Sequence, residues 1–137
     1  MRKGLAKVYE QHRGKLDQKL GAHMEKITDQ YFLKARTEIG HRDDLSPKVK
    51  NKHFWEAGVD AAFQIFEDNK LVSRLEEVRE IGLDKELEEI YPTIVEEITE
   101  NARIKSLKTY EVYRQYLNAG FVHSWRRIKK YYAQLPR

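Results

Sequence analysis

The chain of 137 residues contains no cysteine. That one absence excludes a disulfide framework, thiolate zinc sites, iron–sulfur ligation and cysteine nucleophiles. Proline and glycine are scarce, at three and seven residues, and no linker, low-complexity tract, solenoid repeat or Gly-rich phosphate loop is found. No apolar run approaches the roughly 18 residues of a membrane span. The opening Met1-Arg2-Lys3-Gly4-Leu5 lacks the apolar stretch of a signal peptide. Strict apolar/polar alternation is missing, so nothing suggests strands. A chain of this length buries about two-thirds of its unfolded surface and supports a core without metal or disulfide. These absences predict a soluble, intracellular domain spanning 1–137, cytoplasmic or within a virion, with no cofactor and no membrane.

What is present is helical period. Leu16, Leu20, Met24, Ile27 and Tyr31 recur at threes and fours along one face. Val8 and His12 extend that stripe backwards across Gly14. Gly40 then reads as a helix end, and Ser46-Pro47 as a start, because the Ser oxygen accepts an orphan N–H and proline has none to waste. From Phe54 to Phe66 apolar residues cover most of a helix circumference, which predicts the central, most buried element. Gly58, Ala61 and Ala62 would let another helix approach closely, with Trp55 and Phe63 as anchors. Asp68-Asn69 reads as a break. Leu71, Val72, Leu75 and Val78 then predict a short helix stopped by Gly82, after which Asp84 can cap the next start. Pro92 predicts a kink or a fresh start, since it lacks the donor a helix interior uses. Leu107, Tyr110, Leu117, Phe121, Trp125, Ile128, Tyr132 and Leu135 predict a long final helix, either continuous from Pro92 onward or bent near Asn101–Lys105 or Gly120. The expected fold is all-α, a single-domain bundle of four to six helices with a long C-terminal helix.

The formal net charge of +4 conceals a strong segregation. Residues 1–40 carry +4, residues 41–66 are neutral, residues 67–103 carry −7 and residues 104–137 carry +7. The chain is electrostatically bipolar. Acidic and basic helices can pair within one fold, where exposed ion pairs are worth about 0–1 kcal/mol each. They can also meet between molecules, a head-to-tail contact that builds rings or filaments. The run Trp125-Arg126-Arg127-Ile128-Lys129-Lys130-Tyr131-Tyr132 interleaves cations with aromatics, and that suits phosphates and unpaired bases. On a helix Arg126, Lys129 and Lys130 share one face and Trp125, Ile128 and Tyr132 the opposite one, which also describes an ordinary amphipathic helix.

Metal ligation needs several ligands on one point. Glu38 and His41 have the Glu-x-x-His spacing of helical di-iron sites, but once, where such bundles need it twice. His53 and Glu56 share a helix face alone, while His12, His23 and His123 read as half-buried packing residues. No His-Glu-x-x-His or Ser/His/Asp arrangement is present. No catalytic residue, metal ligand or small-molecule substrate is assigned.

Two short stretches carry resemblances. Glu76-Glu77-Val78-Arg79-Glu80 and Glu96-Glu97-Ile98-Thr99-Glu100 both read E-E-x-x-E, which resembles the E-E-x-x-E and E-x-x-D pair of the all-α MazG-type nucleotide pyrophosphohydrolases. That resemblance implies a carboxylate cluster holding Mg²⁺ against a triphosphate. The second element ends here in Glu100 rather than Asp, and Pro92 interrupts the approach to it. The stretch Phe54-Trp55-Glu56-Ala57-Gly58-Val59-Asp60-Ala61-Ala62-Phe63 is similar to a pattern common in small helical phage and prophage proteins, which implies a virion component or viral accessory.

The expected function is therefore non-enzymatic: an interaction or assembly protein, such as a bacteriophage structural or accessory subunit. Its contacts would join an acidic surface (Glu76, Glu77, Glu80, Glu88, Glu89, Glu96, Glu97) to a basic tail (Arg126, Arg127, Lys129, Lys130), on a protein partner or on a second copy. A second reading gives the basic tail, with Arg2, Lys3 and Lys7, to nucleic acid. A third is the Mg²⁺-dependent nucleotide hydrolase.

Overall fold

Helical period becomes helices over most of residues 18–68 and 75–134, which the computed structural model describes. The stripe at Val8, His12 and Leu16, the basic Arg2, Lys3 and Lys7, the apolar Leu71 and Val72, and Leu135 lie outside those residues. Helix α1 spans Gln18–Ala35 and closes in a π turn over Arg36–Gly40. Helix α2 spans Pro47–Asp68. A short α3, Leu75–Val78, passes through a π turn, Arg79–Leu83, into α4, Asp84–Lys105. Helix α5, Thr109–Tyr132, is the long C-terminal helix. Among the described residues the fold is all-α around one core.

Local chemistry explains most boundaries. The Val49 N–H donates to the Ser46 hydroxyl at 3.2 Å, so Ser46-Pro47 opens α2 as expected. Gly82 adopts φ 151° at the kink between α3 and α4, a conformation open to glycine and strained for other residues. Its missing side chain leaves room for Tyr131, whose hydroxyl oxygen would lie 3.0 Å from a Cβ there. Asp84 does not cap α4 by its side chain; the carboxylate instead accepts from Arg79 Nε at 3.1 Å.

Two expected breaks move. Pro92 neither ends nor restarts a helix, because α4 runs through it. Pro92 is exposed on the outer face, so the ring meets solvent and the carbonyl that loses its N–H partner can turn to water. Of the alternatives for the final stretch, the break falls directly after Asn101–Lys105; the helix is not continuous from Pro92, and Gly120 does not bend it. The chain turns at Ser106, in the left-handed region at φ 51°. There the Leu107 N–H donates back to the Ala102 carbonyl at 3.0 Å. Next, the Lys108 N–H donates to the Glu111 carboxylate at 3.0 Å, opening α5.

Helices α2 and α5 form the central pair. Phe54 stacks on Tyr113, Gly58 meets Leu117, and Phe66 meets Trp125, so the two run in the same direction. Phe54, Trp55, Ala61, Ala62, Ile65 and Phe66 are buried, as the sequence predicts, and Leu117, Phe121, Trp125 and Ile128 match them from α5. Helix α1 crosses this pair in the opposite sense, with Arg36 over the Tyr110 ring and Arg114 paired to Asp29 at 2.8 Å. Helix α4 also runs opposite to α5, resting on it and standing off from α2. That stand-off leaves a groove.

Candidate functional site

The expected acidic and basic surfaces meet inside the molecule at a residue that segment counting passes over. Glu86, in the first turn of α4, accepts from Arg127 Nε at 2.8 Å and from the Tyr131 hydroxyl, and it pairs with Lys130 at 3.4 Å. The Tyr131 hydrogen bond and then Arg127 hold the Glu86 carboxyl below the usual carboxylate range, against the opposing effect of burial. Arg127 also donates to the His123 carbonyl at 3.2 Å, and its Nη1 lies 3.0 Å from His123 Nδ1. The imidazole is half-buried, tilted against the Trp55 ring at 6.1 Å. Burial, then Arg127 and Arg126, push its pKa down to about 4. Two of the four expected basic residues, Arg127 and Lys130, are thus engaged in pinning the start of α4 to the end of α5. Lys129 lies 5.3 Å over the Trp125 ring, and Arg126 is exposed.

The seven expected acidic residues are all exposed. Glu88 pairs with Lys52 at 3.1 Å, and Lys52 in turn sits over the Tyr91 ring at 4.0 Å. Glu76, Glu80, Glu89, Glu96 and Glu97 make no ion pair among the described residues. They spread along α3 and the outer face of α4 rather than converging. No group of three or more His, Asp or Glu among the described residues is arranged to hold a metal ion. The two E-E-x-x-E runs therefore do not form a common metal pocket there.

The concave acidic surface lies instead on α2. Glu56 and Asp60, one helical turn apart, form a ridge between two open grooves. The first, about 180 Å³, lies between α2 and α4 and has Trp55, Val59 and Leu87 among its lining, with Asp84, Glu88 and Arg79 around them. The second, about 230 Å³, lies between α2 and α1 and has Ala35 and Ala57 among its lining, with Tyr31, Lys34, Glu38 and His53. Both grooves share Glu56 and Asp60. Burial raises the Asp60 carboxyl above its ordinary value, and Arg79, His53 and Lys34 act against that rise. The first groove already holds a cation of its own. Arg79 lies 4.6 Å over the Phe63 ring and is bound by Asp84. In the second, Glu38, Glu56 and Asp60 form no ion pair among the described residues.

Periodicity could have found this ridge, because Glu56 and Asp60 interrupt the apolar run from Phe54 to Phe63 at helical spacing. Net charge by segment hid it, since residues 41–66 sum to zero. Among the described residues no helix is long and apolar enough to cross a membrane. No family model, curated protein or solved structure matches this chain.

Proposed function

We propose that this protein is a non-enzymatic interaction module that docks a cationic protein surface on its acidic side, the Glu56–Asp60 ridge with the outer face of α4. The carrying observation is the set of exposed carboxylates, Glu56, Asp60, Glu89, Glu96 and Glu97, that form no ion pair among the described residues. Charge complementarity over such a face supplies register and association rate. In its most concrete form the module is a structural or accessory subunit of a larger assembly, of the kind found in bacteriophages. Nucleic-acid binding by the tail has less support, because Arg127 and Lys130 are held by Glu86 and would have to leave it to reach phosphates.

The test uses a synthetic peptide of alternating lysine and leucine, read by tryptophan fluorescence, since Trp55 lines the first groove. Binding is expected at about 50 mM salt, weakening steeply toward about 500 mM as the charges are screened. It should also be lost on combining Glu56→Gln with Asp60→Asn. No response at the lower salt, or a short DNA duplex bound as well as the peptide, overturns the reading.

A further inference from the structure

The α4–α5 turn is the chemical counterpart of the acidic grooves. At this tip Ile104 is 66% exposed and Tyr110 37% exposed, the former among the most exposed large apolar residues described. Lys105 and Lys108 flank the left-handed Ser106, and neither forms an ion pair among the described residues. Arg103 beside them is bound by Glu100 at 2.5 Å. The tip thus presents two free cations with an apolar residue next to them. The ridge on α2 presents two exposed carboxylates that form no ion pair among the described residues, one turn apart, about 6 Å along the helix, in a groove that Glu38, Lys34 and His53 also line. In the folded chain these surfaces do not pair with each other.

We infer that the docked cationic surface is the α4–α5 tip of a second copy of this chain, seated on the groove between α1 and α2. Lys105 and Lys108 meet Glu56 and Asp60. This rests on the docking reading above and names its partner. The protein already uses the same chemistry internally: in the adjoining groove Arg79 lies over an aromatic ring and against Asp84. The tip joins α4 to α5 and the groove lies between α1 and α2, so donor and acceptor are different patches. Such a contact is heterologous, and each added copy leaves one free tip and one free groove. It also moves the basic half of the assembly from the C-terminal tail, which Glu86 holds, to the preceding turn.

Light scattering after size-exclusion chromatography tests this on the full chain. The wild type should exceed its 16.3 kDa monomer mass increasingly with concentration at about 50 mM salt and return to it at about 500 mM. A tip variant, Lys105→Gln with Lys108→Gln, and a groove variant, Glu56→Gln with Asp60→Asn, should each remain monomeric. Mixed together they should form a one-to-one dimer and nothing larger, since the mixture contains one intact tip and one intact groove. All substituted side chains are exposed, and unchanged thermal melting shows that the variants fold. A monomeric wild type, association in the tip variant equal to wild type, or a mixture that stays monomeric overturns the inference. Peptide binding retained beside a monomeric wild type overturns the second copy as partner and leaves the docking reading standing.

Discussion

Gly58 of α2 and Gly120 of α5 are reciprocal: each faces the backbone of the helix that carries the other. A Cβ at Gly58 would lie 1.9 Å from the Leu117 carbonyl oxygen, and one at Gly120 would lie 2.1 Å from that of Trp55. Both atoms belong to helix backbone, which cannot step aside as a flexible side chain can. Gly58→Ala or Gly120→Ala is therefore expected to push α2 and α5 apart and cost about 3 kcal/mol, the upper part of the overpacking range. In an uncrowded helix the same change would stabilise by about 1 kcal/mol through propensity. The sign of the shift in urea unfolding decides between the two, and a stabilised variant would contradict the close crossing.

Glu86 makes a second relationship measurable. Its side chain is 25% exposed and that of Arg127 only 17%, so Arg127 depends on this carboxylate for its charge balance. Glu86→Gln keeps the shape and removes the charge. The expected loss is about 1–2 kcal/mol, below the value for a fully buried pair because solvent reaches the carboxylate. Glu89→Gln, on an exposed residue of the same helix, should change stability by less than about 0.5 kcal/mol. Equal effects at the two positions would mean that the clamp contributes nothing.

Particular residues show how far pattern reading reaches. The burial of α2, the start at Ser46-Pro47 and the small-residue approach at Gly58 follow from spacing and backbone chemistry, which are local. Pro92 misleads because its effect depends on which side of the helix faces water, and here it is the outer side. Glu86 is one of ten carboxylates between Leu75 and Lys105. Only the approach of the start of α4 to the end of α5 separates it from the rest, and no local spacing encodes that. The Glu56–Asp60 ridge is visible in the helical pattern but acquires meaning only when α1 and α4 wall it on both sides.

Ser124 contributes a defect that can be repaired. Its side chain is fully buried in α5 and its hydroxyl has no hydrogen-bond partner among the described residues. A buried unpaired hydroxyl costs about 1–3 kcal/mol, and alanine is the better helix former. Ser124→Ala should therefore stabilise the protein by about 1 kcal/mol and raise the thermal midpoint by a few degrees. A loss of stability would require a partner for that hydroxyl.

Acid should weaken the fold through His123 before ordinary carboxylates titrate. Its pKa falls from 6.5 to about 4 on folding, so between those values the unfolded chain binds a proton that the folded one refuses. Stability from this group is complete above pH 6.5 and declines as the pH falls toward 4. The groups around the ring explain the direction: Trp55 from α2 shields it from water, Arg126 and Arg127 repel a second positive charge, and Glu86 reaches it only through Arg127. Full burial would put the loss at about 3 kcal/mol, and partial access of solvent reduces it. The lowered Glu86 adds a loss at still lower pH, while the raised Asp60 opposes it. Urea midpoints measured from pH 7 to pH 4.5 should fall for the wild type. In His123→Gln the decline across that window should be markedly shallower, because glutamine does not titrate; an unchanged slope would assign the acid sensitivity to another group.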